Sequence, residues 1–108
     1  MRYALKIAYD GTDYAGWQRQ KNARSVQEVL EDAVLSALGV KVNVTASGRT
    51  DAGVHAAGQV CHFDSEKITV PPQRLPDCLN RFLPSDVRLI DGWGADENFD
   101  SNRSAKRK

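Results

Sequence analysis

The sequence has no apolar run long enough to cross a bilayer as a helix. Its first residues, Met1-Arg2-Tyr3-Ala4-Leu5-Lys6, lack the apolar core of a secretory signal. The expectation is a cytoplasmic protein without membrane association. Cysteine is scarce: Cys61 and Cys78 stand alone, without CxxC spacing. They read as reduced, partly buried thiols rather than a disulfide or a metal site. His55 and His62 do not complete a zinc pattern with them, so no metal is expected. Net charge is also scarce: Lys and Arg number 15 against 14 Asp and Glu, leaving +1, and that balance says little about partners. Internal repeats and low-complexity tracts are absent as well.

What remains has the size and composition of one globular domain: 108 residues, 41% hydrophobic and 27% charged. The charge is unevenly spread. Residues 41–102 carry six basic and nine acidic side chains, whereas Arg103-Ser104-Ala105-Lys106-Arg107-Lys108 carries four positive charges and no negative one. Such an end is either a nucleic-acid contact or a solvated tail.

Hydrophobic periodicity orders the chain. Tyr3, Leu5, Ile7 and Tyr9 alternate with Arg2, Ala4, Lys6, Ala8 and Asp10, which predicts a strand over 2–10 with one apolar face. Residues 11–24 are a long polar loop in which Trp17 sits among Gln18, Arg19, Gln20, Lys21 and Arg24. Aromatics interleaved with cations suit a nucleic-acid surface. The indole itself reads first as folding back onto the core, because Trp is seldom left in water. Ser25-Val26-Gln27-Glu28 is a capping box. Behind it Val26, Val29, Leu30, Ala33, Val34, Ala37 and Leu38 recur at helical spacing until Gly39. Val40, Val42 and Val44 alternate with Lys41, Asn43 and Thr45, predicting a second strand over 40–47, and residues 56–64 predict a third, with Gly58 marking weakness or a close approach. Pro71-Pro72 opens a second helical pattern through Leu75, Leu79, Phe82 and Leu83, with Pro76 confining its regular part to 76–82. Val87–Trp93 predicts a fourth strand. The order β-α-β-β-α-β predicts an α+β, ferredoxin-like domain: a four-stranded antiparallel sheet with two helices on one face. Many unrelated functions use that fold, so it does not settle activity.

Between the second and third strands lies Gly48-Arg49-Thr50-Asp51-Ala52-Gly53-Val54-His55. Glycines permit close approaches and unusual backbone angles, and two of them frame one carboxylate. Spacing alone leaves two readings open: an ordinary Asp turn, or a shaped loop that presents Asp51.

The context of that loop carries a resemblance. Tyr9-Asp10-Gly11, Gly16-Trp17-Gln18-Arg19-Gln20, Ser25-Val26-Gln27, Gly48-Arg49-Thr50-Asp51-Ala52-Gly53-Val54-His55, Gly58-Gln59-Val60 and Leu79-Asn80 followed by Leu83-Pro84 occur in order at fitting intervals. Together they resemble the N-terminal half of the tRNA pseudouridine synthase A family. The resemblance implies an isomerase that converts uridine to pseudouridine in the anticodon stem-loop of tRNA, without metal or organic cofactor, as a homodimer. It implies that Asp51 is the catalytic carboxylate, that Arg49 holds the flipped nucleotide and the carboxylate, and that Thr50 lies with them in the substrate-binding loop. Arg19, Lys21 and Arg24 are candidate phosphate contacts, with plain solvation as the alternative. His55 is either an RNA contact or a structural hydrogen-bonding residue.

The chemistry accounts for those residue types. The glycosidic C–N bond breaks, the uracil rotates, and its C5 bonds to the same sugar carbon. A carboxylate serves either as nucleophile on that carbon or as base on a sugar proton, and the sequence does not choose. Either role wants Asp51 ionised, which a neighbouring Arg49 favours. The target base must leave its stack.

Family members are longer than this chain. Residues 1–98 are therefore expected to form the N-terminal subdomain that carries the Asp loop, and 99–108 a basic segment leading to a second domain that is absent here. The segment Phe99–Arg103 departs from the family, which tends to place an Arg and an aromatic where Asn102 and Arg103 stand. This chain alone is expected to be inactive or nearly so, and prone to self-association. The competing expectation is a non-catalytic ferredoxin-like RNA-binding module, which would stack bases on sheet-face aromatics and have no need of Asp51.

Overall fold

The strand predicted first forms the inner spine of the sheet. In a computed structural model, which describes residues 1–18, 23–46, 53 and 55–96, β1 (Arg2–Tyr9) pairs with β3 (Ala56–Asp64) on one side and β4 (Val87–Ala95) on the other. With β2 (Thr45–Ala46) beside β3, the order is β2-β3-β1-β4, antiparallel throughout. The inward row Tyr3, Leu5, Ile7 and Tyr9 is buried in one core with α1 (Val26–Leu38) and α2 (Leu75–Asn80). The expected ferredoxin-like α+β arrangement is therefore the observed one. Leu5, Ile7, Leu30 and Val34 are fully enclosed, and each such side chain contributes about 1.5–3 kcal/mol.

Helix α1 has the ends its sequence requires. Ser25 Oγ accepts the Glu28 N–H at 3.2 Å. Gly39 closes the helix at φ 68°, donating its N–H to the Leu35 carbonyl at 2.9 Å, in the left-handed region that a Cβ disfavours. Two first-turn amides find partners in the preceding loop: Val26 donates to the Gly16 carbonyl at 3.2 Å and Gln27 to that of Trp17 at 3.0 Å. Helix starts leave such amides unpaired unless something outside supplies acceptors. Trp17 folds inward, as its apolar area requires, to 2% exposure, with its ring 6.5 Å from that of Tyr9.

Two expectations need correction. The strand predicted over 40–47 is strand only at Thr45–Ala46 among the described residues. Val40, Val42 and Val44 are buried as their alternation demanded. The Val44 main chain is claimed instead by helix α1: Glu31 Oε2 accepts its N–H at 2.8 Å, and Gln27 Nε2 donates to its carbonyl at 3.2 Å. Side chains thus supply the partners that a ladder would have given.

The second helix, expected over 76–82, runs from Leu75 to Asn80 behind a 3-10 turn at Pro72–Arg74. Phe82 and Leu83 then donate to the carbonyls three residues back, at 2.9 and 3.4 Å, and Pro84 prevents continuation. The shortened helix leaves Phe82 half exposed, while Leu75 and Leu79 are wholly buried. Asn80 does something its position in a motif did not disclose. Its side-chain oxygen accepts the Leu89 N–H at 2.8 Å and its amide donates to the Leu89 carbonyl at 3.0 Å, which occupies both polar groups of one residue on the outer strand β4. Of the two readings of Gly58, the structure shows an approach by a flexible side chain: a Cβ there would meet Lys6 Cε at 2.8 Å.

Candidate functional site

The end of β1 runs into a turn that collects the functional side chains. Asp10 caps a 3-10 turn at Gly11–Asp13, its Oδ1 accepting from Thr12 N–H at 3.0 Å and from Thr12 Oγ1 at 2.6 Å. These bonds, the side-chain one first, hold the Asp10 carboxyl below its ordinary range, with smaller help from His55. The residue that precedes β4 anchors the turn from one side: the Asp10 N–H donates to the Asp86 carbonyl at 2.9 Å, and the Tyr14 hydroxyl donates to Asp86 Oδ1 at 2.8 Å. Burial pushes the Tyr14 hydroxyl pKa up, and the bond to Asp86 adds to it.

From the other side the turn receives the chain emerging from the Asp51 loop. Gly53, at φ 79°, donates its N–H to the Tyr14 carbonyl at 3.1 Å. Two residues on, His55 Nδ1 lies 2.9 Å from the Gly11 N and 3.0 Å from Asp10 Oδ1. One nitrogen cannot both accept from Gly11 and donate to Asp10. Gly11 is buried and its N–H needs an acceptor, whereas Asp10 Oδ1 already accepts twice from Thr12. The ring is therefore assigned its proton on Nε2.

Arg24 reaches that turn from a third direction. Its guanidinium carbon stands 4.9 Å from the Tyr14 ring centroid, within cation–π range, and its carbonyl accepts the Ala15 N–H at 2.8 Å. Beside the turn an open cleft of about 420 Å³ is lined by Tyr9, Asp10, His55, Asp86 and Arg88 among others. The two candidate residues the structure describes, Arg24 and His55, thus contact the same turn, one at Tyr14 and the other at Asp10 and Gly11. Asp51, Arg49, Thr50, Arg19 and Lys21 lie outside the described residues, as does the basic segment 99–108. Among the described residues, no three His, Cys, Asp or Glu side chains gather to hold a metal ion.

Periodicity did not single out Asp10, Tyr14 or Asp86 as site residues. Asp10 was visible only as a strand-end residue and as part of a motif. Tyr14 and Asp86 are 72 residues apart and the Gly11–His55 bond beside Asp10 spans 44, and no local pattern carries that information.

Comparison with known proteins joins this geometry to a family. Residues 6–94 match the family described as tRNA pseudouridine synthase, a span that runs from β1 through the turn and the Asp51 loop to β4. The chain belongs to the tRNA pseudouridine synthase family. Its relatives include three proteins named tRNA pseudouridine synthase A. The one from Prochlorococcus marinus (strain AS9601) is 47% identical over 100 residues, covering 87% of this chain and 37% of that protein. The one from Halalkalibacterium halodurans is 46% identical over 108 residues, covering 99% and 41%. The one from Chlamydia felis is 47% identical over 109 residues, covering 99% and 41%. The chain thus spans about two fifths of the length of these relatives. In this chain the turn at 10–14 holds Gly53 and His55, the described residues that follow Asp51 in sequence.

Proposed function

We propose that the whole protein is a tRNA pseudouridine synthase that isomerises uridine in the anticodon stem-loop, with Asp51 as its catalytic carboxylate. The observation that carries this reading is family membership across the segment holding Gly48-Arg49-Thr50-Asp51-Ala52-Gly53. Chain order supports a site here, since Gly53 follows Asp51 by two residues in sequence. Gly53 is itself bonded to the turn beside the cleft.

The reaction conserves every atom of the nucleotide and needs no oxidant or reductant. The C–N bond to uracil N1 breaks and a bond from C5 to the same sugar carbon forms. The C5 proton is lost and N1 gains one. Asp51 acts as nucleophile or as base. Arg49 and Thr50 hold the nucleotide beside it, and Arg19, Lys21 and Arg24 meet the RNA backbone, whereas His55 bonds to the turn at Gly11. Arg24 is suited to this because its stem is braced on Tyr14 while the residue as a whole remains exposed. The whole protein is assigned to the cytoplasm and to a homodimer.

A non-catalytic RNA-binding module receives less support. Tyr3 and Tyr9, the aromatics of β1 that could have stacked bases, are 3% and 4% exposed beneath the helices. Asp51→Ala in the whole protein separates the two readings when pseudouridine formation and tRNA affinity are measured together. Lost turnover with retained affinity is the expected result, and unchanged turnover would remove the enzyme assignment of Asp51.

A further inference from the structure

The outgoing arm of the Asp51 loop is tied at two points, and both ties land on one turn. Gly53 is held through main chain alone, by its N–H to the Tyr14 carbonyl. His55 is held through its side chain, by Nδ1 to the Gly11 N–H. The turn cannot easily yield, because Asp86 grips it at both ends, through the Asp10 N–H and the Tyr14 hydroxyl. Between these ties and Asp51 there are only one to three intervening residues. A catalytic carboxylate must be held close to its working geometry, and small displacements are expensive in rate.

We propose that His55 is a positioning residue for Asp51: by accepting the Gly11 N–H it locks the arm leaving the loop onto the Asp10–Tyr14 turn. The proposal rests on the assignment of Asp51 as the catalytic carboxylate. It gives the imidazole a task distinct from touching RNA. Substitution therefore slows the chemical step and leaves substrate binding alone. The Gly11 N–H asks only for an acceptor, so a side chain that offers oxygen at that place restores the lock. Asn is such a side chain, whereas Leu fills similar space with no acceptor.

The test uses His55→Leu, His55→Asn and Asp51→Ala in the whole protein, with kcat and KM for tRNA, and amide exchange of Gly11 and Gly53 in residues 1–108. His55→Leu is expected to lower kcat about 10- to 100-fold with KM unchanged, and to speed exchange at both amides. His55→Asn is expected to recover most of the lost kcat and the Gly11 protection. A His55→Leu protein with raised KM and normal kcat would make His55 an RNA contact and overturn the proposal. His55→Asn as slow as His55→Leu would also overturn it, and that comparison stands even if one variant folds poorly. An inactive Asp51→Ala beside a His55→Leu of normal kcat removes this proposal alone, whereas full turnover by Asp51→Ala removes the assignment beneath it.

Discussion

Tyr14 and Asp86, 72 residues apart in sequence, share a hydrogen bond of 2.8 Å that joins the turn after β1 to the entrance of β4. Tyr14 is 3% exposed, so its hydroxyl has little water to turn to. The same residue offers its carbonyl to Gly53 and its ring to Arg24. One buried tyrosine thus connects the sheet, the loop and a candidate phosphate contact.

Removing that hydroxyl tests the connection. Tyr14→Phe is expected to cost about 1–2 kcal/mol, since Asp86 loses a donor but stays partly open to water. The sign of the pH dependence follows from the raised Tyr14 pKa. A proton held more tightly in the folded state stabilises fully below the unfolded tyrosine pKa of about 10 and is lost as pH rises toward the folded value. Urea melts from neutral to strongly alkaline pH should show the parent losing stability above about pH 10, and the gap to Tyr14→Phe narrowing there. A gap that stays constant would contradict the assignment.

The clamp from Glu31 to Val44 makes a second prediction. Glu31→Ala leaves a buried Val44 N–H without its acceptor and is expected to cost about 1–3 kcal/mol. Glu31→Gln keeps an oxygen in place and should cost clearly less. Equal denaturation midpoints for the two variants would show that the carboxylate oxygen is not what holds residues 40–44.

Thiol chemistry should divide the cysteines. Burial pushes the Cys61 thiol pKa up to about 12 and excludes reagent, whereas Cys78 is partly exposed. An aromatic disulfide reagent at mildly alkaline pH should titrate Cys78 alone in the folded chain and both cysteines in denaturant. Rapid labelling of Cys61 in the folded chain would refute the packing described for β3.

Residues 1–108 by themselves are expected to form little or no pseudouridine on an anticodon stem-loop RNA, because the named relatives are about two and a half times as long. Robust product from this chain alone would place the complete site within it.

Much of the fold was legible because its causes are local. The alternation in β1, the Ser25 cap with its following apolar stripe, and Gly39 at the helix end depend on near neighbours. The boundaries of β3 agree with the sequence reading, and the strand pairs with β1 from Asp64 to Ala56. The failures arose where a distant group competed for the backbone. Residues 40–44 have a strand's alternation, but Glu31 and Gln27 took the Val44 main chain before a neighbouring strand could. One exception is local: the second helix stops at Asn80, ahead of the tighter bonds of Phe82 and Leu83 and of Pro84.

The glycine-framed segment around Asp51 could be picked out from residue types and order, because a carboxylate between two glycines beside an arginine is a chemical statement already present in the sequence. The sequence by itself also determined the element order, the apolar faces and the helix ends, all of which follow from contacts within a few residues. Only the tertiary structure decided that Asp10, Tyr14 and Asp86 build the turn to which Gly53 and His55 are bonded, and that His55 turns its Nδ1 toward Gly11. Those pairings come from the closing of β3 and β4 around β1, and hydrogen bonds across 44 or 72 residues leave no periodic trace in the chain.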